Sequence, residues 1–576
     1  MKQSSGAILD SSSFAAETVK HPGLTPGAEE IHNLAEQLHK KLNIFDYKQL
    51  SRSLWVVFMG GTGTGKSTLF NAFCGKRLSE TGVERPITSG PIVYAHRECP
   101  IENHFPFSNL EFTRRAVETL DSNPAFGAPG QLLVLEHDRD DWSHLVLADT
   151  PDLDSVQVEH RQIAEDLYLL SDAVMFITSQ EKYADEVPYL FLLRVLRENK
   201  PYFLLLNKAE EQITQDDLLK ALRNEEVPLK MDRIALIPYT PSHPSQKIPE
   251  YAPFRNLFVF FSRELSKERS ESLRQTAQSR LAYDLENTAS RLTGLIEQEN
   301  KAAQHWLNQL EALSQQTSQD FISEQKERFA QKSHEHLRTE VRKLFAKYDV
   351  LARPRRFVKE LFLTPFRFLG FLRKGAEDAQ KEALSKVRQK IDLTPVQSAM
   401  EKYNRLVLEK LSPSDEAAPL FRTLRQPGVA LTDEEIRVLI WTEQDKLDTW
   451  LEKTFEDLSR GIPTSKKWGI YTTSILWGIL ILAFEAAVGG GFTVLDAALD
   501  SALAPFVTKG TVELFAYNEI RKIARELAER YKKGLLTVVH HQRGRYEKCL
   551  QSLMTPEETL ENLQKLRSRI SDRLTA

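Results

Sequence analysis

The feature that most restricts this chain is a glycine-rich run, GGTGTGKS, from Gly60 to Ser67. It sits directly after the apolar run LWVVFM, Leu54 to Met59, and before a stretch suited to a helix, Thr68 to Phe73. The spacing GxxxxGK[ST] needs glycines so that successive backbone N–H groups can turn inward onto phosphate oxygens. Gly60, Gly61, Thr62, Gly63, Thr64 and Gly65 form that loop, and Thr68 lies in the first turn of the helix behind it. Lys66 supplies a point charge to the β- and γ-phosphates, and the Ser67 hydroxyl is a ligand for Mg²⁺. The required order of strand, loop and helix is present, so the sequence carries a nucleotide site.

Further apolar runs begin at Leu132 (LLVLE), Leu145 (LVLAD), Ala173 (AVMFIT), Tyr202 (YFLLLN) and Arg233 (RIALIP). Continuous apolar strands alternating with helices predict an α/β domain with a mostly parallel, doubly wound sheet. From Pro253 to Pro354 the chain holds one glycine, Gly294, and is dense in Glu, Gln, Lys, Arg and Leu, which predicts long helices. Thr432 and Glu435 fit a capping box at the start of another helix. The expected organisation is a tail over 1–27, a helix over 28–52 that packs with the C-terminal helices, an α/β domain over 53–262, and a helical stalk over 263–465. A late apolar hairpin over 466–510 and returning helices over 511–576 complete the all-α part.

At roughly 150 residues per domain, 576 residues make about three or four units. Lys and Arg number 76 and Asp and Glu 80, a net charge of −4, so no global cationic field draws the chain to nucleic acid. Cys74, Cys99 and Cys549 are too few and too scattered for a disulfide framework or a zinc site, and His540-His541 lacks further ligands at useful spacing. The N-terminal residues lack the apolar core of a signal peptide, which places the chain in the cytoplasm.

The loop resembles that of ABC transporter ATPases, but an LSGGQ signature and a strand ending in Asp-Glu are absent from the sequence. Instead one strand ends in Asp149-Thr150-Pro151-Asp152 and a later one in Asn207-Lys208-Ala209-Glu210. This order resembles P-loop GTPases of the translation-factor-related class. GKSTLFNAFCG is similar to their Era-like and bacterial dynamin-like branches, over about Leu54 to Pro241. The resemblance implies GTP as substrate, GDP and phosphate as products, and Mg²⁺ as cofactor. It implies that Asp149 holds Mg²⁺ through water, that Asn207 contacts guanine, and that the Lys208 stem covers its ring. Glu210 stands where the family has Asp, and Asp152 where the family has the glycine of Asp-x-x-Gly, which bears on guanine selectivity and on γ-phosphate sensing. Thr88, in GVERPITSGPIVY, takes the place of the switch threonine that closes over Mg²⁺, with Thr81 and Ser89 as alternatives. Arg85, three residues before Thr88, is either an internal arginine finger or a surface arginine that anchors the loop. Leu153 and Gly63 stand where relatives place water- and cation-positioning side chains, so intrinsic hydrolysis is expected to be slow.

Two segments point towards a lipid surface. Arg353 to Lys374 carries seven basic residues against one acid, Glu360, interleaved with Phe357, Phe362, Phe366, Phe368 and Phe371. That mixture suits anionic headgroups, RNA, or a core helix with snorkelling edges. Trp468 to Phe484 is an uncharged run of seventeen residues, and the Gly489–Gly491 bend leads to Phe492–Val507 with Asp496 and Asp500. It reads as a membrane-dipping hairpin or as one buried in the helical domain. The layout resembles bacterial dynamin-like proteins and mitofusins. It implies a GTPase on the cytoplasmic face of the inner membrane, able to form homo-oligomers through its G domain or helices. The alternatives are a soluble Era-like GTPase acting on RNA or ribosomes, and a nucleotide-gated scaffold that does not hydrolyse.

Overall fold

In the run LWVVFM every residue is apolar, and the structure buries all six as the strand β1, Leu54–Met59. Successive side chains point to opposite faces, so Trp55, Val57 and Met59 enter one core while Leu54, Val56 and Phe58 enter another. Both cores are closed by helices, which is why a strand of this kind shows no polar alternation. The structure is a computed structural model. It describes residues 14–80, 90–120, 125–179, 186–198, 200–210, 214–215, 231–238, 245–347, 393–460 and 514–575.

In chain order the first elements are α1 (Ala28–Leu50), β1, α2 (Lys66–Cys74), β2 (Ile92–His96), β3 (Glu111–Ala116), β4 (Gln131–His137) and β5 (Leu145–Asp149). There follow α3 (Val158–Leu170), β6 (Ala173–Ser179), α4 (Glu186–Arg197), β7 (Tyr202–Ala209), β8 (Ile234–Pro238) and α5 (Ala252–Glu264). The sheet has eight strands in the order β3-β4-β2-β5-β1-β6-β7-β8. All neighbouring pairs are parallel except β2 with β5. The mostly parallel, helix-covered sheet is thus the fold, with two strands beyond those read from apolar runs. β2 follows GVERPITSG and belongs to a stretch read as the switch. β3, EFTRRA, is an edge strand with half-exposed side chains, and Arg114 on it pairs with Glu102 and with Glu136, the latter at 2.6 Å.

The chain divides into two units. The first comprises 1–20, 29–296 and 555–576, and so includes residues 263–296 as well as the sheet. Within it, α1 lies beside β1 through Tyr47 and Trp55, whose indole N–H donates to the Tyr47 hydroxyl at 3.3 Å. Arg573, on the last helix α11 (Glu557–Thr575, numbered after those below), sits 5.7 Å from the Phe45 ring centroid. Lys48 and Asp172 form a buried pair at 2.6 Å, and the second Asp172 oxygen accepts from the Trp55 N–H at 2.8 Å. Burial pulls the Lys48 ammonium below its usual range, with Asp172 opposing the change.

The second unit comprises 21–28 and 297–554. Its helices are the later part of α6 (Lys267–Lys347), α7 (Thr394–Leu411), α8 (Pro419–Leu424), α9 (Asp433–Arg460) and α10 (Leu514–Ser552). Buried Glu299 accepts from the backbone N–H groups of Gly23, Leu24 and Thr25 at 2.9, 3.0 and 2.6 Å. The capping box at α9 is reciprocal: Thr432 N donates to Glu435 at 2.8 Å, and Glu435 N to the Thr432 hydroxyl at 3.3 Å. Gln542, fully buried, accepts from Leu431 N and donates to Val429 O. Among the described residues no helix is long and apolar enough to cross a membrane. The stretches 353–374 and 468–507 lie outside the described residues.

Asp172→Ala leaves a buried ammonium without its counter-charge and the Trp55 N–H without an acceptor. A loss of about 3–5 kcal/mol in stability is expected, read as a lower urea midpoint for the full chain.

Candidate functional site

β1, β5, β6 and β7 run parallel, so their C-terminal ends share one edge of the sheet, where ligands of open α/β sheets bind. Phe58 pairs with Asp149 and Ser179 with Asn207, which brings the ends of Leu145–Asp149 and Tyr202–Ala209 level with the start of the glycine-rich loop. Thr64 closes a turn inside that loop, its hydroxyl and N–H both directed to Gly61 O at 2.9 and 3.3 Å.

Two glycines are required by close approach. A Cβ on Gly60 would stand 2.0 Å from the Ile177 carbonyl oxygen. Gly65 has a left-handed φ of +93°, and a Cβ there would stand 2.2 Å from Asn207 Nδ2. Gly65 caps α2, so Lys66 and Ser67 begin the helix with their N–H groups facing the loop cavity.

Lys66 is buried and its ammonium pairs with Asp152. Asp149 is fully buried: Ser79 donates to its Oδ2 at 2.8 Å, while Oδ1 makes no hydrogen bond among the described residues. Burial raises its pKa to about 6; Lys66, Ser67 and Ser79 pull it down, and Asp152 adds to the rise. A fully buried carboxylate, with one oxygen free of hydrogen bonds among the described residues and the Ser67 hydroxyl acting on the same group, is the donor chemistry a hard divalent cation takes, so these residues fit Mg²⁺. The described residues contain no cluster of three His, Cys, Asp or Glu side chains able to hold a metal by themselves.

The strand end at residue 207 holds the glycine-rich loop directly. Asn207 Nδ2 donates to Thr64 O at 2.8 Å, and Lys208 Nζ donates to Gly63 O at 3.0 Å. Lys208 has a left-handed φ of 56°, next to a register break between Leu206 and Ala209. Asn207 is buried, and Lys208 and Glu210 are exposed. Thus Gly60–Ser67, Asp149, Asp152, Asn207 and Lys208 converge, with Thr68 in the first turn of α2. Thr88 and Arg85, with Thr81 and Ser89, lie outside the described residues.

Three residues that the motifs did not single out complete the site. Asp154 accepts from both the N–H and the hydroxyl of Thr62 at 2.6 Å. Asn71 accepts from Leu78 N and Ser79 N at 2.8 Å and donates to Ser79 O at 2.7 Å, which fixes the Ser79 hydroxyl under Asp149. Asn71 belongs to the quoted GKSTLFNAF pattern, so its signal was present; nothing in the spacing marks Ser79 or Asp154.

The family model described as the dynamin family matches residues 56–209, the stretch holding the loop, Asp149 and Asn207. That segment is similar to the dynamin family. The chain is 27% identical over 210 residues to an uncharacterised protein encoded in the xynA 3′ region of Caldicellulosiruptor sp. (strain Rt8B.4). The match takes in 31% of the chain and 49% of that relative, so it spans about half the relative's length. Two solved chains of an oligomerised bacterial dynamin pair, described as a mechanism for long-range sensing and tethering of membranes, are 17% and 14% identical. They cover 95% and 94% of this chain and 80% and 90% of their own, with TM-scores of 0.27 and 0.29, too low to carry an argument.

Burial raises the Asp149 carboxyl to about 6, so a cation held there would compete with a proton below that pH. Mg²⁺ affinity, measured by calorimetry with GDP present, is expected to fall about tenfold per pH unit below 6 and to level off above it.

Proposed function

We infer that the chain binds GTP and hydrolyses it to GDP and phosphate through its dynamin-like G domain. The observation that carries this reading is the convergence of Lys66, Asp149 and Asn207 on one loop within the segment matching the dynamin family. Backbone N–H groups of 60–67 orient the phosphates, Lys66 places a positive charge on the β–γ bridge, and Ser67 and Asp149 hold Mg²⁺. Mg²⁺ supplies neutralisation of phosphate charge when bound. Asn207, already fixed on Thr64 O, presents its remaining amide edge to guanine, and Glu210 accepts from the guanine N–H groups. Thr88 closes over the γ-phosphate, and Arg85 either stabilises charge there or anchors the loop that carries Thr88. The translation-factor-related and Era-like assignment rests on the motif order alone.

We also propose that the helical part meets an anionic membrane surface on the cytoplasmic side, supported by the composition of 353–374 and 468–507, and that copies of the chain associate through G domains or helices. Flotation of the purified protein with phosphatidylserine vesicles tests this: protein that stays at the bottom of the gradient with GDP, with a GTP analogue and without nucleotide would sink it.

Multiple-turnover phosphate release from GTP, with ATP as comparison, tests the catalytic reading. Slow release from GTP is expected, and Lys66→Ala is expected to lower kcat roughly 10²–10³-fold. Equal release by the variant and the parent chain would refute it.

A further inference from the structure

Lys66 has a counter-charge within the protein itself. Its ammonium pairs with Asp152 Oδ1, and the charge of Asp149 acts on the same region. The lysine side chain is 5% exposed and that of Asp152 23%, so the pair lies at the inner wall of the loop with one side open to solvent. The segment that delivers Asp152 also grips the loop at Gly60 and Thr62. Leu153 N donates to Gly60 O at 3.3 Å, and Asp154 holds the Thr62 N–H and hydroxyl.

We propose that Asp152 is an internal anion that holds the phosphate-loop lysine in the nucleotide-free chain, and that the phosphates of an incoming guanine nucleotide must displace it, which penalises a triphosphate more than a diphosphate. The proposal rests on the nucleotide-binding reading above. A buried ammonium requires a counter-charge, and here a carboxylate on the neighbouring loop provides it. A phosphate oxygen competes for the same ammonium, so binding exchanges one pair for another and gains less than it would over a glycine. After displacement the carboxylate remains on the loop beside the γ-phosphate position, and two like charges at that range repel in a partly dehydrated site. GDP lacks the γ-phosphate and avoids most of that repulsion. The displaced residue directly precedes Leu153 and Asp154, whose bonds to Gly60 and Thr62 carry the movement into the chain leading to α3. Asp152 is therefore a positioning and specificity residue; it acts on the bound phosphates through Lys66 and through its own charge.

The test uses the full-length chain with Mg²⁺, fluorescent GDP and a fluorescent non-hydrolysable GTP analogue. Asp152→Asn is expected to bind the GTP analogue at least tenfold more tightly than the parent chain and GDP by a smaller factor. In a Lys66→Ala background the same change should give no gain for GDP and a reduced one for the GTP analogue, since the competition for the ammonium is gone and only the repulsion remains to be relieved. An Asp152→Asn chain with an unchanged ratio of the two affinities, or with both weakened, overturns the proposal. Failure of the parent chain and both variants to bind either guanine nucleotide defeats the nucleotide reading itself, and the proposal with it. Where the substitution compromises folding, amide hydrogen exchange in the parent chain gives the answer. Exchange over 152–156 should rise when the GTP analogue is added, and no change there overturns the proposal equally.

Discussion

A buried lysine at the start of a short helix has few ways to be stable, and the arrangement of this domain around Lys66 follows from that constraint. The ammonium needs negative charge near it at all times. Asp149 and Asp152 provide it from the end of one strand, Leu145–Asp149, which the parallel register sets beside Leu54–Met59. Because Asp149 is fully enclosed, its own charge is costly, and the hydroxyls of Ser67 and Ser79 together with Lys66 offset part of that cost. The Ser79 hydroxyl in turn depends on Asn71, which fixes the backbone of Leu78 and Ser79. A chain of dependence therefore runs from the helix after the loop, through residues 78–79, to the carboxylate and back to the lysine.

The opposite wall is built from the strand Tyr202–Ala209. Asn207 and Lys208 each hold a carbonyl of the loop, at Thr64 and Gly63. The strand end carrying Asn207 and Lys208 is thereby joined to the glycine-rich loop. The missing methyl group of Gly65 is what allows the two to touch.

Much of this was legible in the sequence because the signals were covalently local. The spacing of Gly60, Gly65, Lys66 and Ser67 fixes a loop, and uninterrupted apolar runs such as LVLAD and AVMFIT can only be strands buried on both faces. What escaped depended on partners distant in sequence or on edge position. EFTRRA has neither a continuous apolar run nor a clean alternation, because Arg114 on that edge strand is stabilised by Glu102 and Glu136 instead of by a core. Ser79 and Asp154 are ordinary polar residues until the fold brings them to Asp149 and Thr62. The pairing of Asp152 with Lys66 was hidden for a related reason: a motif records the position of a departure but not where its carboxylate points. The capping box of Thr432 and Glu435, by contrast, was fully local and was readable from the two residues alone.

The register of the central strand has a consequence for how the domain is made. Leu54–Met59 finds its two neighbours only at Leu145–Asp149 and Ala173–Ser179, and the Thr64 carbonyl waits for an asparagine 143 residues further along. During synthesis the glycine-rich loop therefore emerges long before anything can hold its shape, and its apolar strand must stay unpaired while the intervening chain is added. Contacts of such separation make folding slow and leave the nascent strand open to wrong partners. The geometry of the glycine-rich loop is in this sense acquired late, although the residues that define it precede in sequence the strands that hold it.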